Sequence, residues 1–316
     1  MTDFLSRLDW VCLGNDSSPL SHSSLSLLSL SLLALTIGCA EVGVEAEDSL
    51  VSKRSATGDF SGNRCGTREV SPAERASVER ELESLPAMRV DANRKIEVPV
   101  FVHVITGQGR RGNLSKNMIK KQMKVLNRSF NGQTGGPNTS ITFKLKKITR
   151  QQNDLWFTQC ASPDVEEAMK SQLRRGDKTA LNIYTCDPNG LLGYATFPWD
   201  FKKNPKLDGI VLNYGSLPGG EIDRFDEGDT AVHEVGHWLG LFHTFQGGCN
   251  GKGDRVKDTP PQAGPTSGCP VQPVDSCPGA GPDPIENFMD YSDDACMFEF
   301  SNKQSNRMNK MLSRFR

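Results

Sequence analysis

His233-Glu234-Val235-Gly236-His237-Trp238-Leu239-Gly240-Leu241-Phe242-His243 is the stretch that decides how this chain is read. On a helix, His233 and His237 stand one turn apart on one face, so both imidazoles can reach a single ion. Glu234 points beside that face, within reach of a water on the ion. Gly240 can take a positive φ, end the helix and let the chain turn back. That turn returns His243 as a third nitrogen donor. Three neutral imidazoles leave the fourth position of a tetrahedral zinc open for water, as a catalytic rather than a structural site requires. The chain has five histidines, and three of them are here. His22 falls in a leader-like segment and His103 in a predicted strand, where a satisfied core histidine is expected. A bare H-E-x-x-H recurs by chance. The added G-x-x-H is far more selective, and burying three imidazoles and a carboxylate without an ion would leave polar groups needing partners.

The sequence around this motif reads as an α/β (α+β) fold. IEVPVFVHVI (96–105) alternates and is β-branched, SITFKLKKI (140–148) follows as a second strand, and LNIYTC (181–186) as a third. LLGYATFPW (191–199) reads as a short edge strand, with Pro198 favouring the edge, and GIVLNYG (209–215) as another strand. Helices are predicted from the Ser115 cap to Phe130, from Pro163 to Arg175, from about Glu227 to Leu241, and after the Ser301 cap. Between the last two lies a long loop region. Ahead of the first strand, Ser71-Pro72-Ala73-Glu74 reads as an N-cap, a Pro at N1 and a capping-box Glu. There is no internal repeat.

Composition narrows the class. The chain has 316 residues, 36% hydrophobic and 24% charged, enough for a substantial core. Lys+Arg is 37 against Asp+Glu 38, a formal net charge of -1, which argues against a nucleic-acid partner. No stretch is long and apolar enough to span a membrane. Residues 17–40 carry no charge and end LSLLSLSLLALTIGCA, which reads as a secretory signal over 1–40, although Asp3, Asp9 and Asp16 dilute the usual positive flank. A buried helix is the competing reading of that segment. Thr36-Ile37-Gly38-Cys39 also resembles a lipoprotein box, so a lipid anchor at Cys39 is an alternative to free secretion. Residues 41–94 read as a propeptide or N-terminal extension, and 95–316 as the catalytic domain. Seven of nine cysteines follow the leader, four of them in Gly/Pro-rich sequence near the C-terminus, which fits an oxidising compartment. N-x-[ST] sites occur at Asn113, Asn127 and Asn138.

The extended histidine motif resembles that of the metzincin metalloproteases. Their second hallmark is a Met-containing turn beneath the zinc, and Asn287-Phe288-Met289-Asp290-Tyr291 matches it. LLGYATFPW, HEVGHWLGLFHTFQGGC, the Asp254–Pro260 run and NFMDYSDDAC are together similar to the pappalysin-like group, which includes secreted fungal and bacterial extracellular metalloproteases. The resemblance spans residues 96–316. It implies a twisted mixed sheet with helices above, and a loop-rich lower lobe stapled by disulfides and closed by a C-terminal helix. It implies one catalytic Zn2+ on His233, His237 and His243, Glu234 as general base and acid, Met289 in the turn, and Tyr291 as a stabiliser of the oxyanion. It pairs Cys249 with Cys277, Cys269 with Cys296, and Cys160 with Cys186.

This resemblance also gives Cys65, in Asn63-Arg64-Cys65-Gly66-Thr67, a role. A propeptide thiolate could fill the open zinc position and hold the enzyme latent; an unpaired thiol is the equally weighted alternative. Asp254 and Asp258 could bind Ca2+, or lie in a solvated loop. Asp293-Asp294 could attract a basic side chain at the cleft, or be a solvated pair. The strand around 193–197 could pair with a peptide substrate, or only complete the sheet. The expected function is a secreted zinc endopeptidase, monomeric, acting on protein or peptide substrates. Its rivals are a catalytically weak, zinc-stabilised binding protein and a zinc hydrolase of non-peptide substrates.

Overall fold

The computed structural model describes residues 64–84 and 95–316. The leader expected over 1–40, with His22 and Cys39, and the remainder of the 41–94 extension lie outside the described residues. Among the described residues no helix is long and apolar enough to cross a membrane.

Five strands form one mixed sheet in the order β2-β1-β3-β5-β4. They are β1 (Ile96–Thr106), β2 (Ile141–Gln152), β3 (Leu181–Cys186), β4 (Gly193–Ala195) and β5 (Ile210–Asn213). β1 runs parallel to β2 and β3, β3 runs parallel to β5, and β4 is antiparallel to β5. Side-chain alternation sorts the two faces. Val98, Val100, Val102 and Val104 of β1, Leu181 and Ile183 of β3, and Ile210 and Leu212 of β5 share one core with α2 (Lys116–Phe130) and α5 (Asp229–Trp238). Tyr184, Cys186 and Val211 point the other way, into a second core with α3 (Asp154–Gln159) and α4 (Pro163–Leu173). His103 sits on this second face, stacked on Tyr184 at 4.8 Å, with its ring nitrogens on Thr149 Oγ1 and Asn182 Oδ1. It is the satisfied core histidine the sequence suggested.

Local chemistry explains the helix ends. Ser115 and Ser301 accept from the N–H groups of Met118 and Gln304, opening α2 and α6 (Asn302–Phe315). In α1 (Pro72–Glu83), Ser71 accepts from Glu74 N, but Glu74 does not close a capping box. Its carboxylate is taken by Arg68 and by the Trp199 indole N–H at 2.8 Å. Strand β4 is shorter than the sequence suggested: Pro198 opens a 3-10 turn, Pro198–Lys202, instead of extending the edge. The short helix α3 went unread, although Asn153 caps it by accepting from Trp156 N.

Below α5 the chain is mostly loop. Disulfides join Cys249 to Cys277 and Cys269 to Cys296, and Cys160 to Cys186 in the upper part. Buried polar side chains brace the loops: Asp290 accepts from Gln262 Nε2 and Thr266 N. Asp254, buried, spends its oxygens on Val256 N and Thr259 Oγ1. Asp258 accepts from Ser301 Oγ and Lys303 N at the start of α6. These partners show that Asp254 is not solvated, while Asp258 stays exposed at the α6 terminus. The Asn127 side chain lies in α2 and is engaged with Met123 O and with both backbone groups of Phe143, so its amide is committed within the fold.

Candidate active site

Helix α5 carries His233, Glu234 and His237, all buried. Its N-terminus is held from a distance: Asp294 Oδ2 accepts from the N–H groups of Glu227, Gly228 and Asp229 at 3.0, 3.1 and 3.4 Å. Burial holds the Asp294 carboxyl up at about 7, with these N–H groups pulling it back down. At the other end Gly240, at φ +90°, closes the helix, and the chain returns with His243.

The three imidazole Nε2 atoms converge. His237 Nε2 lies 3.1 Å from His233 Nε2 and 3.0 Å from His243 Nε2. His233 Nδ1 donates to Phe288 O at 2.7 Å, and His237 Nδ1 donates to Leu241 O at 2.8 Å. A carbonyl only accepts, so in both rings Nδ1 carries the proton and Nε2 presents a lone pair inward. Burial pushes His233 down to about 4, and holds His237 and His243 well below the usual imidazole range. Neutral lone pairs facing one another at 3 Å repel unless a cation sits among them. Two nitrogens on a tetrahedral zinc at its usual bond length stand about 3.3 Å apart. The donor set therefore fits zinc in both chemistry and spacing.

Around the triad stand the other predicted residues. Met289 lies under α5 with its sulfur against Gly236, where a Cβ would come within 2.3 Å of it. Asn287 holds the turn by accepting from Met289 N and exchanging amide hydrogen bonds with Gln304. Tyr291 OH is 3.3 Å from His243 Nε2. Burial raises Glu234 to about 8, opposed by hydrogen bonds from Cys65 and Thr67.

Residues 64–67 fill the cleft. Cys65 Sγ joins the three histidine nitrogens in a cluster within 4.8 Å and lies 3.6 Å from Glu234 Oε2. Among the described residues it is the free cysteine. Thr67 Oγ1 donates to Glu234 Oε2 at 3.0 Å and accepts from Ala195 N at 2.9 Å. Leu192 N donates to Arg64 O, and Gly66 N to Gly193 O, so this segment adds a parallel bridge to the outer edge of β4. Arg64 donates to Ser292 O, pairs with Asp293 at 3.3 Å and stacks on Phe225 at 4.2 Å. The expected acidic pair thus divides: Asp293 faces arginines, Arg64 and Arg224, while Asp294 caps α5. In the sequence, the thiol is the one signal this segment carries; nothing in it points to Thr67 or to a role for Arg64.

A family profile described as pregnancy-associated plasma protein-A matches residues 183–313. Extracellular metalloprotease 1 of Coccidioides posadasii is 45% identical over 232 residues, covering 72% of this chain and 80% of that protein. The extracellular metalloprotease of Pyricularia oryzae is 45% identical over 227 residues, covering 70% and 76%. The chain belongs to the pappalysin family of metalloproteases. Among solved structures, a promirolysin variant of Tannerella forsythia superposes with TM-score 0.66 at 30% identity, covering 78% of this chain and 93% of that one. Mature mirolysin in complex with a cleaved peptide gives 0.61 at 32% identity, covering 71% and 96%. This pappalysin is a secreted zinc metalloendopeptidase with protein or peptide substrates, which sets aside the binding-protein and non-peptide rivals.

Proposed function

We propose that the protease works through His233, His237 and His243 as zinc ligands and Glu234 as the group that moves the proton. The convergence of three Nε2 atoms, those of His233 and His237 held as inward lone pairs, beside one buried carboxylate carries this reading. Bound zinc supplies a Lewis acid and a water of lowered pKa. Glu234 takes the proton from the attacking water and returns it to the leaving amine. Tyr291 points its hydroxyl to where the oxyanion develops. The outer edge of β4 takes the peptide backbone, since Gly193 and Ala195 already show the free valences that residues 64–67 use. Asp293 attracts a basic side chain of the substrate, in the place Arg64 occupies.

The same contacts support latency. Cys65 stands where a fourth zinc ligand belongs, Thr67 occupies the Glu234 carboxylate, and the segment holds the β4 edge. The resemblance to a structure titled promirolysin agrees with residues 41–94 being a propeptide. Residues 1–40 serve as the export leader, with lipidation at Cys39 the alternative, and the mature enzyme works as a monomer.

The test measures zinc content and casein hydrolysis together on the full chain. Cys65→Ala should keep zinc and start without a lag, whereas the parent chain should show one. Adding Glu234→Gln should keep zinc and lower the rate by about 10²–10⁴-fold. His233→Ala should lose zinc. Full activity in the Glu234→Gln protein would overturn the assigned role, and an unchanged lag in Cys65→Ala would overturn latency through the thiol.

A further inference from the structure

Helix α1 makes contacts that blocking the cleft does not require. Residues 64–67 already occupy the histidines, Glu234 and the β4 edge. Farther along the chain, α1 lies on a separate surface. Val70, Val78 and Leu82 are buried there with Phe197, Trp199, Phe242 and Met311, and Phe315 packs alongside. The aromatic rings form a track from the metal centre outward: Phe197 meets His237 at 5.7 Å, Trp199 stacks on Phe197 at 4.6 Å, and Phe315 lies 6.3 Å beyond Trp199.

Charge on the two sides is complementary. Glu79 pairs with Arg307 at 2.7 Å, Glu81 with Arg314, and Glu74 accepts from the Trp199 indole N–H. Lys178, Lys202 and Lys203 line an adjoining cavity of about 560 Å³ together with Glu74 and Glu81. Glu74, Val78, Glu81 and Leu82 fall on one helical face at i, i+4, i+7 and i+8. Once α1 leaves, the protease is left with an aromatic surface rimmed by Arg307, Arg314 and Lys203, and with a Trp N–H lacking its acceptor. A helix as short as α1 is marginal in water and has little hold of its own once cut from the chain.

We propose that in the activated protease this surface is a docking site for acidic amphipathic helices in its protein substrates, α1 being the built-in example of the occupant. The proposal rests on α1 belonging to a segment removed on activation. A substrate helix seated there would tether its scissile segment beside the cleft, raising the local concentration of that segment and lowering KM without touching the chemistry.

The experiment uses zinc enzyme activated from the full chain, with mass spectrometry to show whether residues 71–84 are gone. Its substrates are one fluorogenic peptide alone and the same peptide joined through a Gly/Ser linker to SPAERASVERELES. A third carries that helix with Val78→Ser, Leu82→Ser, Glu79→Lys and Glu81→Lys. The acidic helix should lower KM by about tenfold relative to the altered helix, with equal kcat. Arg314→Glu and Lys203→Glu should shrink that ratio several-fold and leave the plain peptide unaffected. Equal KM values for the two helix substrates, in an enzyme that has shed α1 and cleaves the plain peptide, overturn the docking site while leaving the propeptide reading intact. An active enzyme that still carries residues 71–84 overturns the propeptide reading instead. A released α1 fragment that stays bound, or a dimer closed through this face, also overturns the substrate assignment.

Discussion

Gly240→Ala should unfold the protease early and loosen its zinc. Gly240 sits at φ +90°, ends α5, and is three residues ahead of His243. Forcing an L-residue into that conformation costs roughly 1–2 kcal/mol. The new Cβ would also lie 2.6 Å from Met311 Cγ and 2.8 Å from its sulfur, and Met311 is fully buried. Overpacking of that kind costs about 1–3 kcal/mol. The stiffer unfolded chain offsets about 0.4–1 kcal/mol. The net destabilisation is on the order of 2–4 kcal/mol, which for a domain of this size lowers Tm by about 5–15 °C. Thermal unfolding of the full chain should be followed at one fixed, saturating zinc concentration, because zinc bound only to the folded state raises Tm by itself. Zinc retention after dialysis should fall in parallel, since the turn places the third imidazole. A Tm within about 2 °C of the parent, with zinc retained, would falsify the claim that this turn has no room for a side chain.

Gly193→Ala would set a Cβ 2.8 Å from Val211 O and 2.9 Å from Glu234 Cγ; it should keep zinc but lose on the order of 10²-fold in kcat, as small misplacements of a reacting group do. Unchanged kcat with zinc retained would contradict that. Cys160→Ser with Cys186→Ser opens a loop of sequence separation 26 and should cost about 3–4 kcal/mol on chain-entropy grounds, read from urea unfolding under non-reducing conditions. Burial raises Asp254 to about 7 against an ordinary 3.8, so between those values the folded state keeps a proton that the unfolded state releases. Asp254 therefore erodes stability as pH rises from about 4 to 7. Asp254→Asn should flatten that slope in pH-dependent melting, and an unaltered slope would show the carboxyl titrates normally.

The elements that could be read in the sequence are those whose cause is local. The histidine spacing, the Ser115 and Ser301 caps, and the alternating strand β1 depend on residues a few positions apart. The cap of α5 does not: it is Asp294, about sixty-five residues downstream. Glu74 has the right spacing for a capping box, yet Arg68 and Trp199 draw it away, one of them a charged partner. Pro198 was a fair sign of an edge strand, but β4 had already ended, because the 3-10 turn buries Pro198 and Trp199. Thr67 left no signal of its own, since its role exists only where the extension crosses β4 and meets Glu234. The disulfide pairing came from the resemblance; cysteine spacing alone permits many pairings.

The hold of the extension also has a physical explanation in its two-part attachment. Arg68, Glu74 and Glu81 make ion pairs at partly exposed positions, each worth about 0–1 kcal/mol at best. The buried apolar contribution of α1 comes from two aliphatic side chains, Val78 and Leu82, with Val70 added just ahead of the helix. Neither α1 nor the four residues in the cleft would hold strongly as a free fragment. Joined by residues 68–71, each makes rebinding of the other intramolecular, and continuity of the chain into β1 does the same for both. A single cut between residues 84 and 95 removes the second of these advantages at once. On the proposed reading, activation therefore needs no rearrangement of the catalytic groups: Thr67 and Cys65 leave Glu234 and the histidines, and the outer edge of β4 becomes free for substrate.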